Sequence, residues 1–429
     1  MSALRIDDIN LIDSAFWTQP LEQRQAGFAT LRRERPIAFY EEPSFGDISL
    51  GPGFYAITKH ADVIEISGNP KVFCSGLGST SVMDLPPEAA EFFGSFIVMD
   101  DPRHARLRGI VSRRFTPKQL AGVMDNVVKV ADEVIDDMCE KGETDFVQDI
   151  SQSFPLLIIM DMMGIPRSEY ATVLNATNKI LGGGDPDFFD PVDDDADQSA
   201  LFGQVLGAGM TLVQLMNEIA EFKRTHPGDD LTTQLINAEL EDDVLTPVEL
   251  GSFFILLAVA GNDTTRTALS HGMHYLTQHP DQRKIWQSDL EGVTPTGVEE
   301  VVRYAAPVVY MRRTLTQDYT MASGHEFKQG EKVVMFYGSA SRDEDVFENP
   351  DVFDVRRNPN PHLGFGGPGP HFCLGAHLAR RELSVMFRRL FERLPDIEAT
   401  ASPDLIVAGM PLVTGVKHLP VSFTPAARR

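Results

Sequence analysis

The sequence predicts a mainly α-helical fold, organised as one domain over residues 1–429. Apolar residues recur at helical spacing over three long segments, whereas only short runs have the pattern of a strand. The chain contains no Gly/Ser-rich linker, no low-complexity tract and no internal repeat, so nothing in it indicates a boundary between domains. The three helical segments are residues 116–140, 156–163 and 374–394.

The individual elements follow from local patterns along the chain. Residues 53–58 form a short strand-like run before a helical stretch at 61–67, and 333–337 form a second strand-like run. The apolar run at 253–259 predicts part of a long central helix, because the helical pattern continues beyond it. The segment 374–394 carries a stripe of apolar residues at helical spacing, which predicts packing against a core. That stripe consists of Ala379, Leu383, Met386, Phe387, Leu390 and Leu394.

Composition excludes several classes of protein. Acidic residues outnumber basic ones by 62 to 38, giving a net charge of −24, so nucleic acid is not an expected partner. The N-terminus lacks an apolar signal region and the longest apolar runs are too short to span a bilayer, so no transmembrane anchor is expected. Cys74, Cys139 and Cys373 form no disulfide framework, which favours a reducing cytoplasm.

The most informative residue is Cys373, which lies near the end of a Gly- and Pro-rich loop at 365–375. The loop passes directly into a helical pattern, so the sulfur is expected at a helix N-terminus, where the dipole and free N–H groups favour a thiolate. No second cysteine is close enough for a CxxC motif or a zinc cluster. A lone thiolate suits one soft metal with one protein ligand, and haem iron is the leading case. A buried free cysteine is the alternative.

This run resembles the haem-binding signature of the cytochrome P450 superfamily, Phe-Gly-x-Gly-x-His-x-Cys-x-Gly. Phe365 lies eight positions before Cys373, one more than usual, so the loop must absorb an extra residue. The resemblance implies the cytochrome P450 fold, a large helical domain with a small β-rich part near the N-terminus. It also implies haem b as the cofactor, with Cys373 as the axial iron ligand. The residues expected around the haem are Ala260, Gly261, Phe365, Gly366 and Gly375.

A second motif places Asp263 and Thr264 side by side on the central helix. Both residues are poorly suited to a helix interior, because Asp has low helix propensity and Thr can bond to the carbonyl four residues earlier. Considered without the other motifs, these two residues are explained by a polar patch where the helix reaches solvent. The resemblance implies an acid–alcohol pair instead, in which Thr264 holds oxygen and a water while Asp263 relays protons.

A third motif is Glu300 followed by Arg303, which share one helix face and can form an ion pair. An ordinary surface pair is the alternative. In the family this pair joins a further arginine and stabilises the core near the haem. Either Arg356 or Arg357 could be that third member.

A fourth motif begins at Pro102, which would start a helix carrying His104 and Arg108 on one face. The resemblance implies that both residues contact the haem propionates, together with Arg313 and His371. Charge-assisted hydrogen bonds to carboxylates are strong, so four donors are chemically reasonable there. His104 taken alone is equally compatible with a solvated surface histidine.

The four motifs together imply a monooxygenase that inserts one atom of O2 into an unactivated C–H bond. No GxGxxG follows a strand, so electrons are expected from a ferredoxin and an NAD(P)H-linked ferredoxin reductase. Basic residues concentrated in 102–118 and 380–389 predict a docking face for such an acidic donor, although solvated helix faces are the alternative. The predicted contacts are Arg106, Arg113, Arg114 and Arg381.

The segments expected around the substrate are apolar, which predicts an apolar lipid. The predicted pocket residues are Phe96, Ile97, Val98, Leu257, Val308, Val309 and Met311. Stretches at 93–104, 161–166 and 308–318 resemble an actinobacterial branch that includes terminal hydroxylases of methyl-branched lipids, and relatives that act on the cholesterol side chain.

Omega-hydroxylation of methyl-branched fatty acids or isoprenoid lipids is therefore expected, with terminal hydroxylation of a steroid side chain as the alternative. Two other classes are a haem sensor or gas carrier, and a peroxygenase. Neither would need the pair formed by Asp263 and Thr264.

Overall fold

The computed structural model describes residues 5–42, 44–45, 48–49, 51–113, 115, 121–182, 185–190, 198–237, 245–406 and 410–429. Its helices are α1 (Ser14–Trp17), α2 (Leu21–Glu34), α3 (His60–Gly68), α4 (Pro87–Gly94), α5 (Arg103–Ser112), α6 (Ala121–Met138), α7 (Ser153–Met163), α8 (Tyr170–Leu181), α9 (Gln198–Thr225), α10 (Leu231–Ile236), α11 (Pro247–Gln278), α12 (Pro280–Ser288), α13 (Leu290–Ala305), α14 (Tyr337–Ala340) and α15 (Ala376–Arg393). Shorter helical turns occur at Ile6–Asp8, Ser95–Val98, Val147–Ser151 and Arg167–Glu169.

The strands are short and are spread along the chain. They are β1 (Ile37–Tyr40), β2 (Ser44–Phe45), β3 (Ile48–Ser49), β4 (Phe54–Ile57), β5 (Phe73–Cys74), β6 (Glu143–Asp145), β7 (Tyr310–Leu315), β8 (Tyr319–Thr320), β9 (Glu326–Phe327), β10 (Lys332–Phe336), β11 (Glu398–Ala399), β12 (Asp404–Leu405), β13 (Val416–His418) and β14 (Pro420–Ser422). The predicted mainly α fold is confirmed, because helices make up most of the described chain.

The largest sheet has five strands in the order β1-β4-β10-β7-β5. The two strands predicted from sequence are neighbours in it: β4 and β10 pair in parallel, with Val333 opposite Tyr55, and the other pairs are antiparallel. The β-rich part is therefore not confined to the N-terminus, since β7 and β10 come from the second half of the chain. Sequence patterns show local strand character and not this distant pairing.

The predicted helices are present with small shifts of their ends. Helix α6 lies within the predicted segment 116–140, whose first residues, 116–120, are outside the described ranges. Helix α7 begins three residues before the predicted 156, and α15 lies within the predicted 374–394. The predicted apolar stripe is buried, except for Ala379, in a core cluster that also contains residues of α6, α11 and α13. Ala379 is half-buried and lines the cavity described below.

Helix α11 runs through the centre of the molecule and carries the acid–alcohol motif. Its start is fixed by a capping box, in which the Glu249 backbone N–H donates to Thr246 Oγ1 at 3.2 Å and the Thr246 N–H donates to the Glu249 carboxylate at 2.9 Å. Pro247 occupies the first helical turn, where its missing N–H has no cost. Packing of α7, α9, α13 and α15 around this helix holds the motif at the centre of the fold.

Within the part of the chain that the structure describes, no helix is both long and apolar enough to cross a membrane.

Candidate active site

A cavity of about 220 Å³ lies between α11, α15 and the loop that carries Cys373. Its apolar walls come from the turn Ser95–Val98, the middle of α11 and the segment before β7. The polar side chains that line it are Arg108, Thr264, Thr265, Arg313, Tyr337, His371, Cys373 and Glu382. Three of the four sequence motifs thus meet at one cavity, through Arg108, Thr264 and Cys373, although the first and the last lie more than 250 residues apart in the chain.

The Cys373 loop folds back on itself just before α15 begins. The Cys373 backbone N–H donates to the carbonyl of Phe365 at 3.0 Å, so the extra residue does not separate the ends of the loop. Gly366 and Gly369 adopt positive φ angles of 88° and 134°, which favour glycine. A Cβ at Gly369 would also clash with the backbone carbonyl of Ser67, so the lengthened loop lies tightly against α3.

The Cys373 thiol faces the cavity, and its accessible surface lies on that side. Burial raises the pKa of this thiol, while backbone N–H groups of Gly375 and Ala376 and the charges of Arg108 and Arg380 oppose that rise. The backbone N–H groups at the start of α15 thus favour the thiolate, as the sequence predicts, and burial of the sulfur acts against them. A bound metal ion would supply the missing stabilisation, since coordination deprotonates a thiol.

A cluster of cationic and histidine side chains converges beside the thiol. The rings of His104 and His371 lie 4.3 Å apart between centroids, and Ser75 Oγ lies 3.0 Å from His371 Nε2. Arg108 donates to the carbonyl of Phe372 at 2.5 Å. The pKa of His371 is lowered to about 2, first by burial and then by neighbouring positive charge, so its ring is neutral.

This cluster fits a ligand that carries carboxylates. The buried Nε2 of His104 and Nδ1 of His371 have no hydrogen-bond partner among the described residues. The buried Arg313 guanidinium donates to the neighbouring carbonyl of Arg312, and burial lowers its pKa. Asp101 lies 3.5 Å from Nδ1 of His104. This leaves Nε2 of His104, Nδ1 of His371 and the guanidinium groups of Arg108 and Arg313 as donors for an anionic ligand. These donors match the two propionates of a haem, whose iron would lie at the Cys373 thiol.

The acid and the alcohol of α11 have different surroundings. Thr264 lines the cavity, and its hydroxyl donates to the Ala260 carbonyl at 2.8 Å. Asp263 does not line the cavity; it is buried beside Arg266, whose Nη1 lies 3.6 Å from Asp263 Oδ1. Burial raises the pKa of Asp263 to about 6, with Arg266 opposing the rise, and its Oδ2 has no partner among the described residues.

A buried acid that none of the sequence motifs indicated, Glu382, lines the same cavity. The hydroxyl of Thr265 donates to its Oε2 at 3.2 Å, and burial raises its pKa to about 8, so this carboxyl is protonated at neutral pH. Leu378 and Met386 lie four residues before and after it on the apolar face of α15. An acid in that stripe was the signal in the sequence that could have identified it.

The Glu300 and Arg303 motif forms a fully buried network rather than a surface pair. Arg303 makes two hydrogen bonds to Glu300 and three more to the carbonyls of Ser341, Pro350 and Val352, which uses all five of its N–H donors. The third arginine is Arg357, whose Nε lies 3.2 Å from Glu300, whereas Arg356 is exposed.

The predicted substrate pocket is only partly reproduced. Five of the seven residues line the cavity: Phe96, Ile97, Leu257, Val308 and Met311. Val98 does not, because its side chain packs on the backbone of Gly94. Val309 does not either, because it turns into a separate core cluster with Trp17 and Phe336. Further walls that the sequence did not indicate come from Phe115, Ile159, Phe253 and Leu256.

The arginines of the predicted docking face differ in their surroundings. Arg106 forms an ion pair with Glu249 at 2.8 Å. Arg113 is exposed at the end of α5, Arg381 is half-buried on α15, and Arg114 lies outside the described residues. Both helices border the Cys373 loop, since Arg108 of α5 contacts Phe372 and Arg380 of α15 lies over the Phe365 ring at 4.3 Å.

A single thiol that lines a cavity, beside two arginines, Arg108 and Arg313, that form no ion pair among the described residues, defines the site of a haem-thiolate protein. The sequence profile of cytochrome P450 matches residues 84–395, more than half of the chain, and the chain belongs to that family. It is a cytochrome P450 monooxygenase.

Named relatives and solved structures agree with this assignment. The chain is 45% identical to the methyl-branched lipid omega-hydroxylase of Mycobacterium tuberculosis over 98% of this chain and 95% of that protein. It is 36% identical to the steroid C26-monooxygenase of the same organism over 93% of this chain and 89% of that protein. A cytochrome P450 of Mycobacterium marinum, CYP268A2 in complex with pseudoionone, superposes with a TM-score of 0.88 at 37% identity, over 99% of this chain and 100% of that one.

Proposed function

We propose that this enzyme hydroxylates the terminal carbon of methyl-branched lipids, such as branched fatty acids and isoprenoid chains. The observation that carries the proposal is the cavity wall opposite the Cys373 loop, which is apolar where it is formed by Phe96, Leu257, Val308 and Met311. The lining residues Arg108 and Arg313 are charged, but they belong to the cluster of cationic and histidine side chains beside Cys373 and not to this wall. The similarity to the mycobacterial omega-hydroxylase supports the same substrate class.

Terminal oxidation requires steric control, because the C–H bonds of a terminal methyl are the strongest on such a chain. We infer that Val308 and Met311 on one side, and Ala260 on the other, admit a methyl group and hold the branch point away from the reacting position. Gly261 contributes to this wall by close packing, since a Cβ there would lie 2.8 Å from Cδ1 of Ile159.

The cofactor that we propose is haem b, with Cys373 as its sole protein ligand. His104, Arg108, Arg313 and His371 would hold its propionates. Haem iron bound to a thiolate supplies the O2 activation that hydroxylation needs. Reduction in the presence of carbon monoxide tests the ligand: the strongly red-shifted Soret band of a thiolate-bound haem should appear, and Cys373→Ser should abolish it. A band typical of histidine ligation would overturn the assignment.

Proton delivery is assigned to Thr264, whose hydroxyl faces the cavity. Asp263 would act from behind the helix, because a carboxyl with a pKa of about 6 can hold and release a proton near neutral pH. Electrons would come from a ferredoxin and its NAD(P)H-linked reductase, docked on the exposed parts of α5 and α15. We place the enzyme in the cytoplasm, which agrees with its three free cysteines.

The substrate class is tested by titrating the haem-loaded protein and following the spin-state change of the haem. An iso-fatty acid should bind about fourfold more tightly than the linear acid with the same main chain, because one extra buried methyl contributes about 0.8 kcal/mol. Val308→Ala should reduce this preference, and the neighbouring Val309→Ala serves as the control because Val309 lies outside the cavity. Tighter binding of cholestenone than of either acid would favour the steroid side-chain alternative.

A further inference from the structure

Arg24 on α2 is a buried cation that forms no ion pair within the described part of the chain. Its side chain and backbone together are only 6% exposed. Its buried Nε has no hydrogen-bond partner, and no described carboxylate forms an ion pair with its guanidinium. Burial lowers its pKa, and only the more distant Tyr275 and Glu22 oppose this. Buried charges in folded proteins are normally paired, so an unpaired guanidinium indicates a missing anionic partner.

Arg24 lies between two cavities that share no lining residue with the haem site. The inner cavity, of about 30 Å³, is formed by α2, α11 and the end of α13. The outer one, of about 240 Å³, lies between α1 and the segment from β12 to β13. Trp17, Arg24 and Thr414 line both cavities, so the guanidinium is accessible from each.

The inner cavity provides neutral hydrogen-bonding groups around one positive charge. Thr414 Oγ1 and the Gln25 side-chain oxygen are buried there without partners, and rotation of each group can present a donor. His271 Nε2 lies 3.2 Å from the Thr414 carbonyl and donates to it, and burial lowers the pKa of His271 to about 4. That ring is therefore neutral, and the site carries the single charge of Arg24, which suits a monoanion.

The outer cavity selects among monoanions because more of its wall is apolar than polar. Its apolar members are Trp17, Pro403, Leu405, Ile406 and Pro411. Its one lining acid among the described residues, Asp404, is more than half exposed and lies 3.9 Å from the Lys417 ammonium, which offsets its charge. A planar guanidinium matches a carboxylate through two parallel hydrogen bonds, which a spherical anion cannot form. We propose that this site binds a carboxylate with a short apolar chain, its oxygens at Arg24 and its chain in the outer cavity.

The test measures thermal unfolding of the haem-loaded protein titrated with butyrate, chloride or neutral butyramide at constant ionic strength. Butyrate should raise the midpoint in a saturable way, because a ligand that binds only the folded state stabilises it, and the other two compounds should not. The Soret band should stay unchanged, because the haem cavity is separate. An equal rise with chloride or butyramide would overturn the proposal.

Variants of Arg24 test whether butyrate raises the unfolding midpoint by binding at this residue. In Arg24→Met the half-saturating butyrate concentration should increase at least about tenfold, since the charge and the two-bond geometry are both lost. Arg33→Met removes an exposed arginine from the same helix and should leave the titration unchanged. If Arg24→Met does not fold, Arg24→Lys can be used instead. It keeps the positive charge but lacks the two parallel N–H donors of a guanidinium, so it should still weaken butyrate binding several-fold. A titration of Arg24→Lys or Arg24→Met that matches the wild type would refute the site.

Discussion

Replacing Arg357 with methionine should destabilise the protein, whereas the same change at its neighbour Arg356 should not. The Arg357 side chain pairs with Glu300 and donates to the carbonyls of Glu348, Asn349 and Val352. Arg356 is exposed on the other side of the same segment. The two variants remove the same charge from adjacent positions, so they form a matched pair.

The magnitude follows from what each change leaves behind. Without Arg357, the buried Glu300 keeps its bonds to Arg303, Asn360 and the Asp354 N–H. The three carbonyls at the surface can bind water instead, so the loss is close to that of one charge-assisted hydrogen bond, about 1.5–3 kcal/mol.

Arg303→Met should cost more, about 3–5 kcal/mol, because it breaks a fully buried pair and leaves the Glu300 charge largely uncompensated. Arg356→Met should change the stability by less than about 0.5 kcal/mol.

Urea unfolding of the haem-loaded variants measures these differences, followed by circular dichroism and by the Soret band. Denaturant is preferred because a chain of this length shifts its thermal midpoint by only about 1 °C per kcal/mol. Equal effects at Arg356 and Arg357, or an effect at Arg357 as large as that at Arg303, would refute the reasoning from contacts.

Three further predictions concern the site. Thr264→Ala and Asp263→Asn should uncouple turnover, so that consumed electrons appear as hydrogen peroxide instead of alcohol; unchanged coupling in both would remove their assigned role. The stability of Glu382→Gln relative to the wild type should increase as the pH rises from about 4.5 to about 8. Over that range the folded wild type retains a proton on Glu382 that the unfolded chain releases, so the wild type loses stability while the variant, which has no such proton, does not. A stability difference that does not grow with pH would contradict a protonated Glu382. Charge reversal of Arg113 and Arg381 to glutamate should slow ferredoxin-driven turnover, most at low salt, and spare peroxide-driven turnover; equal losses in both assays would indicate damage to the fold.

The sequence predicted best where a function depends on residues close together in the chain. The Cys373 loop and the start of α5 each carry a compact motif, and the structure brings Cys373, His104, Arg108, Arg313 and His371 to one cavity. The loop's extra residue could be counted from sequence. Its accommodation could not be predicted, because it depends on contact with α3 from a distant part of the chain.

Prediction was weaker where neighbouring residues take different directions. Val308 and Val309 are chemically identical, yet only Val308 lines the cavity, because neighbouring side chains of an extended segment point to opposite sides. Which of the two lines the cavity depends on the core cluster that takes up Val309. Arg356 and Arg357 were likewise indistinguishable until the position of Glu300 was known. Glu382 lies within an apolar stripe that the sequence shows. Acidic residues are rarely buried, so the stripe alone did not indicate that this carboxyl is buried and protonated.

The products of turnover show whether the enzyme hydroxylates the terminal carbon of methyl-branched lipids. The reconstituted enzyme is supplied with an iso-fatty acid and, separately, with the linear acid of the same main chain, and the alcohols are identified by mass spectrometry. The branched acid should be consumed faster and should yield mainly the primary alcohol at its methyl terminus. Predominantly subterminal or tertiary alcohols, or faster consumption of the linear acid, would contradict terminal hydroxylation of methyl-branched lipids.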